Sequence, residues 1–174
     1  DTGAGLGTMH FPERAADVAV SVQARLMVVV AGRSILAYEL PGFRLVRQKE
    51  MKRSQELVAL SGDGQTLATA ERYEEFKRLV RIWPTEWLLD AEADRTASQI
   101  WRPVKSLKHL ALNGDGRLLA MSRYPGIMLW DVPGQKMHNR GCGCKGIIDD
   151  LRFSPDGAML VAGSSGEYVG AWEI

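Results

Sequence analysis

The chain has few cysteines, no excess of charge and no long apolar run, and each of these absences excludes a class of protein. Two cysteines in 174 residues are too few for a disulfide framework, so we expect a reducing compartment and a cytoplasmic protein. Lys and Arg total 22 while Asp and Glu total 21, so the net charge makes nucleic acid an unfavoured partner. The longest apolar runs, such as 26–31, are too short to cross a bilayer, and no membrane association is expected.

Three segments of the chain repeat one order of strands and turns. Each begins with a short alternating strand, passes through a turn that ends in Asp-Gly, and continues with an apolar strand, a polar loop and a third strand ending at Trp. Asp caps a tight turn with its side chain, and Gly takes the positive φ that a hairpin needs. The three segments are 57–83, 110–131 and 151–173.

A weaker fourth copy precedes these three. Residues 18–22, 26–30 and 34–40 are predicted to be its strands, and Tyr38 takes the place that Trp holds in the other copies. The polar stretch 71–78 is predicted to be a loop insertion in the next copy. Only 91–99 has a composition that fits a short helix, so the chain is predicted to be all-β.

Four antiparallel strands that recur about every 40–45 residues and end at Trp resemble the blades of the WD-repeat β-propeller family. Trp130-Asp131 is the one literal Trp-Asp pair. The chain departs from the family pattern because no repeat opens with Gly-His and the usual buried Asp is absent. The resemblance therefore implies a divergent propeller held mainly by apolar packing, while an all-β sandwich is the alternative. Its four blades are expected near 18–50, 54–97, 104–140 and 147–174.

Closure of the ring is left open by the sequence. The last repeat ends just after Trp172-Glu173, without a fourth strand of its own. In the family, an N-terminal strand completes the last blade and removes the unpaired edge, so residues 1–17 are predicted to be an arm with 8–11 as the closing strand. Three possibilities follow: the chain is part of a larger propeller, it self-associates to complete the ring, or its four blades close alone.

Few residues suggest chemistry. The repeated Trp side chains and the Asp-Gly turns are interpreted as structural. Cys142 and Cys144, four and six residues after His138, could hold a metal or form a redox-active disulfide, but zinc sites normally need wider cysteine spacing and a fourth ligand. Two small residues in a flexible loop are the simpler interpretation. Since no triad or phosphate-binding loop is present, we expect a non-enzyme with no cofactor and no metal.

The loops that join the second and third strands, and those that join consecutive blades, are predicted to share one face. They carry Arg and aromatic residues, which dominate binding hot spots. We therefore expect a protein-interaction scaffold that binds a protein or peptide; a regulatory or sensor module of a larger protein is the alternative, and a propeller enzyme or nucleic-acid binder is less favoured. The competing interpretation is that these Arg and aromatic residues are unrelated loop residues that simply face solvent. The predicted partner-binding residues are Arg72, Tyr73, Phe76, Trp101, Arg102, Arg123, Tyr124, His138, Arg140 and Tyr168.

Overall fold

The chain folds into antiparallel sheets with very little helix. The computed structural model describes residues 8–90, 92, 99–100, 104–138, 146–165 and 168–174, with 99–100 described by their backbone alone. Over these residues, strands form four antiparallel sheets, which confirms the all-β prediction. Within the same ranges no helix is long and apolar enough to span a membrane.

The four sheets follow one another along the chain. The first contains β1 (Ala15–Ser21), β2 (Leu26–Ala31), β3 (Ser34–Glu39) and β4 (Arg44–Glu50). The second contains β5 (Gln55–Leu60), β6 (Thr66–Glu74) and β7 (Lys77–Pro84), with β8 (Gln99–Ile100) and β9 (Val104–Lys105) both paired to β7. The third contains β10 (Leu110–Leu112), β11 (Leu118–Ser122), β12 (Ile127–Asp131) and β13 (Lys136–Met137), and the fourth contains β14 (Ile148–Phe153), β15 (Met159–Ser164) and β16 (Tyr168–Glu173).

Consecutive sheets pack face to face through apolar clusters. Because side chains alternate between the two faces of a strand, one sheet can contact both of its neighbours. Leu67 and Trp83 pack against the first sheet, whereas Ala68 and Ile82 on the other face of the second sheet pack against the third. Leu151 belongs to the cluster between the third and fourth sheets. Among the described residues, no apolar cluster joins the first sheet to the fourth, and no strand pairing links one sheet to another.

The four repeated aromatic residues occupy equivalent places in the four sheets. Each lies on the third strand, and each is paired with the second residue of the second strand. This register confirms the predicted equivalence, and it shows that one aromatic residue of each sheet faces the same way along the series. The pairs are Tyr38 with Met27, Trp83 with Leu67, Trp130 with Leu119, and Trp172 with Leu160.

The Asp-Gly turns adopt the predicted conformation. Gly64, Gly116 and Gly157 have φ of +73°, +70° and +73°, a region that favours glycine. In the second sheet, Asp63 Oδ1 accepts from the Gln65 N–H at 2.9 Å, so the carboxylate caps its own turn. Neighbouring turns also contact each other, since the Asp63 N–H donates to the Gly114 carbonyl at 2.9 Å.

Three features differ from the sequence-based expectations. The stretch 71–78 is not a loop insertion: β6 and β7 extend through it and leave only residues 75–76 as a turn. The helix α1 (Thr85–Leu89) lies before the predicted stretch 91–99, of which Gln99 is in β8 and most other residues lie outside the described ranges. The second sheet reaches Lys105 through β9, beyond the expected boundary at 97.

The described part of the N-terminal arm contacts the first sheet. Residues 8–14 contain no strand, and Met9 and Phe11 pack on the face of the first sheet that bears Tyr38. The Phe11 and Tyr38 rings are 6.3 Å apart between centroids and meet edge to face at 80°. This is the face that, in the later sheets, packs against the preceding sheet.

Candidate partner-binding face

One end of the four sheets gathers the loops that the sequence predicted to lie together. Here the first strand of each sheet begins and the hairpin between the second and third strands turns. The first strands lie side by side: Asp17 Oδ2 on β1 accepts from the Val58 N–H on β5 at 2.9 Å, and β10 contacts both β5 and β14. We call this end the loop face. It comprises residues 13–16, 32–33, 51–57, 71–78, 104–109, 122–127, 146–148, 164–165 and 168.

Among the described residues, the exposed Phe, Tyr and Trp side chains all lie on the loop face. Tyr73 is 41% exposed, Phe76 67%, Tyr124 63% and Tyr168 56%. Every other Phe, Tyr or Trp side chain that the structure describes is buried or half-buried. These four come from three different sheets, so their placement on one face results from tertiary packing and not from one short segment.

The long hairpin of the second sheet carries two of these aromatics. Phe76 adopts φ of +63° at the turn, which directs the chain sharply from β6 into β7. Lys77 Nζ donates to Glu74 Oε2 at 2.7 Å across the turn, and this hydrogen bond raises the pKa of Lys77 above its usual value. Lys77 and Glu74 are thus paired across the turn, and Phe76 lies between them at the tip of the hairpin.

A buried carboxylate helps to position Tyr73 beside the turn of this hairpin. Glu71 is only 3% exposed, and its Oε1 lies 3.1 Å from Arg81 Nη2 and 3.7 Å from Arg53 Nη1. The Arg53 guanidinium lies over the Tyr73 ring, 4.8 Å from its centroid. Since a buried carboxylate needs cationic partners, Glu71 fixes Arg53, and Arg53 in turn supports one face of Tyr73.

Glu56 holds two further arginines on the other side of this hairpin. Its Oε1 lies 2.5 Å from Arg72 Nε and its Oε2 lies 2.6 Å from Arg78 Nε. The Glu56 side chain is 14% exposed, whereas that of Arg72 is 71% exposed. The carboxylate is therefore enclosed, while the Arg72 guanidinium keeps N–H donors that face solvent.

Two adjoining clefts open on the loop face. The first has a volume of about 590 Å³ and lies where the first three sheets meet. The second has a volume of about 400 Å³ and lies between the third and fourth sheets, with Lys108 lining both. The first is lined by Glu13, Arg14, Ala16, Gly32, Ser54, Gln55, Glu56, Leu57, Arg72, Arg78, Leu107, Lys108 and His109, and the second by Ser106, Lys108, Ser122, Arg123, Tyr124, Ile147 and Ile148.

His109 lines the first cleft, and its environment shifts its pKa. Burial lowers its pKa below the usual value of a histidine, and nearby Arg152 acts in the same direction. Asp150, Asp17 and the hydrogen bond to the Ile148 backbone oppose this shift. The permanent positive charge of the cleft is carried by its Lys and Arg side chains.

The structure brings six of the ten predicted site residues together on the loop face: Arg72, Tyr73, Phe76, Arg123, Tyr124 and Tyr168. His138 is not among them. It continues β13 along the outer edge of the third sheet, where its N–H donates to the Leu129 carbonyl at 2.9 Å, and it is half-buried. The remaining predicted residues Trp101, Arg102 and Arg140, and the cysteines Cys142 and Cys144, lie outside the described residues.

Sequence reasoning missed the cations at the starts of the first strands. Arg14 precedes β1, and Lys108 lies two residues before β10. The repeat alignment contains the signal that could have found them, because it places residues 14–16, 54–56 and 106–108 just ahead of equivalent strands.

No protein-family model matches the chain, and no curated protein matches it.

Proposed function

We propose that this chain is a non-catalytic protein-interaction module whose four sheets are the blades of a WD-repeat-like propeller. In this proposal the loop face binds a protein or peptide partner. One observation carries it: the four exposed aromatic side chains of the described residues all lie on that face.

Physical chemistry supports a binding role for such a face. Burying an exposed aromatic ring against a partner removes a large apolar area from water, and its few rotatable bonds keep the entropy cost low. Arg123 and Tyr124 line the second cleft, so an arginine and an aromatic adjoin a concavity. Concave surfaces with aromatic anchors are the usual places where binding energy concentrates.

A peptide-display selection against the whole chain tests this proposal. Selected peptides are labelled and their affinity is measured by fluorescence polarisation for the chain and for three variants. Tyr124→Ala and Tyr168→Ala should each weaken binding by about tenfold, the effect of a residue worth about 1.4 kcal/mol at a hot spot. Lys136→Ala is the matched control, because Lys136 is exposed on the third sheet at the end away from the loop face.

All three side chains are exposed, so the melting temperatures of the variants should match that of the parent chain. Selected peptides that bind the two tyrosine variants with full affinity contradict the proposal. So does a selection that yields no peptide above background, or peptides that lose affinity only with Lys136→Ala.

A further inference from the structure

The charge of the loop-face clefts differs from that of the chain as a whole. The chain has a net charge of +1, but among the described residues the walls of these two clefts carry five cationic side chains and two carboxylates. The cations are Arg14, Arg72, Arg78, Lys108 and Arg123, and the carboxylates are Glu13 and Glu56.

Glu56 balances the charge of only one of the two arginines that it contacts. One carboxylate serves both Arg72 and Arg78, at 2.5 Å and 2.6 Å, so this group of three keeps a net positive charge. Arg72 is the more exposed of the two arginines, at 71% against 27%. Its outward guanidinium can therefore receive a carboxylate from a partner in the bidentate geometry that arginine favours.

Lys108 occupies the boundary between the two clefts. The Lys108 and His109 N–H groups both donate to Ser122 Oγ, at 3.1 and 2.8 Å, which fixes the backbone at this point. The Lys108 side chain is exposed, and within the described residues no carboxylate forms an ion pair with it. An ammonium group held at the meeting point of two clefts attracts an anionic group that spans them.

The second cleft combines this charge with an apolar wall. Tyr124 and Ile147 line it together with Arg123, and Ile147 is 44% exposed. A partner that fits both clefts therefore carries carboxylates along most of its length and an apolar side chain where it enters the second cleft. In an extended peptide, successive side chains point to opposite sides, so one segment can present both kinds of group.

We infer that the loop face binds an acidic peptide segment of the partner. Its carboxylates lie against Arg72, Lys108 and Arg123, and an apolar side chain of the segment packs on Tyr124 and Ile147. This inference rests on the proposed function and adds the chemistry of the partner.

The test uses three fluorescein-labelled peptides of equal length, with the repeats Glu-Glu-Leu, Gln-Gln-Leu and Lys-Lys-Leu, and a single-stranded oligothymidylate. Fluorescence polarisation with the whole chain should give the tightest binding for the Glu-Glu-Leu peptide, with an affinity that falls as salt is raised. Lys108→Gln and Arg123→Gln should each weaken that binding by up to about fivefold, the effect of an exposed ion pair. Lys136→Gln is the matched control and should leave it unchanged.

The outcomes separate the inference from the proposed function. Equal binding of the acidic and neutral peptides, with loss on Tyr124→Ala, keeps the binding face and overturns the preference for acidic segments. Tightest binding of the oligothymidylate overturns the inference in favour of nucleic acid. Absence of binding by all probes, or loss of the acidic peptide only with Lys136→Gln, also overturns it. If the display selection likewise fails, the proposed function falls with it.

Discussion

Replacing Trp83 with Ala should cost more stability than any other single substitution at the repeated aromatic position. The side chain is 4% exposed, its ring stacks on Trp87 at 3.8 Å between centroids and 17° between planes, and its Nε1 donates to Thr69 Oγ1 at 3.2 Å. Truncation of a buried Trp costs about 3–5 kcal/mol. The substitution also removes the ring stacking, worth about 0.5–1.5 kcal/mol, and the hydrogen-bond donor to the buried Thr69. We therefore expect the free energy of unfolding to fall by an amount near the top of that range, about 5 kcal/mol.

Trp172→Ala is the matched control, because Trp172 has the equivalent register in the fourth sheet but is half-buried. We expect Trp172→Ala to lower the free energy of unfolding by about 2–3 kcal/mol, since less apolar area returns to water. Urea unfolding should be followed by far-ultraviolet circular dichroism, because the substitutions remove fluorescent tryptophans. A loss below about 1 kcal/mol for Trp83→Ala, or a larger loss for Trp172→Ala than for Trp83→Ala, would refute the packing argument.

Three further substitutions test other parts of the structure. Gly116→Ala should lower the free energy of unfolding in urea by more than about 1–2 kcal/mol, because φ is +70° and the new Cβ would lie 2.3 Å from Thr66 Oγ1. Gly42→Ala is the control and should lower it far less, since the space around its Cβ is open. Equal losses would contradict the structural role given to the Asp-Gly turn. Burial lowers the pKa of His109 in the folded chain, so its contribution to stability is present above the pKa of the unfolded chain and is lost as pH falls through the pKa of the folded chain. His109→Gln should therefore flatten the dependence of the unfolding free energy on pH below about 6.5. An unchanged slope would contradict this role of His109. Phe11→Ala should increase self-association measured by light scattering, because it uncovers the apolar face of the first sheet; a monodisperse variant would show that the arm does not protect that face.

The turns and the aromatic register could be predicted because their determinants are local. An Asp-Gly pair between two apolar strands specifies its own turn, and Gly64 and Gly116 adopt the positive φ that the pattern requires. The position of Trp83 on the third strand then follows from the strand lengths. Sheet packing adds the direction in which each aromatic side chain points.

The helix and the arm could not be predicted because their contacts are tertiary. The helix α1 has five residues, too few for a periodic pattern, and Trp87 is buried in the cluster between the first and second sheets. In the arm, Phe11 has no neighbouring pattern to indicate that its ring meets Tyr38.

The part of the candidate site that could be predicted is the part that hairpin turns position. Tyr73, Phe76 and Tyr124 lie in or beside loops that the repeat alignment located. The support of Tyr73 by Arg53 was not predicted, because these residues come together only when Glu71 is buried between strands. The polar stretch 71–78, expected to be a loop insertion, instead lies in β6 and β7, where most of its charged side chains pair with neighbours on β5, β6 or β7.

Hydrogen–deuterium exchange of the whole chain, with and without a peptide chosen by display, tests the binding face most directly. Backbone amides buried by a partner, or ordered by it, exchange more slowly. We expect slower exchange in residues 72–78, 123–127, 164–165 and 168, and unchanged exchange in the turns 40–43 and 132–135 at the other end of the sheets. Slower exchange in those turns, with no change on the loop face, would contradict it.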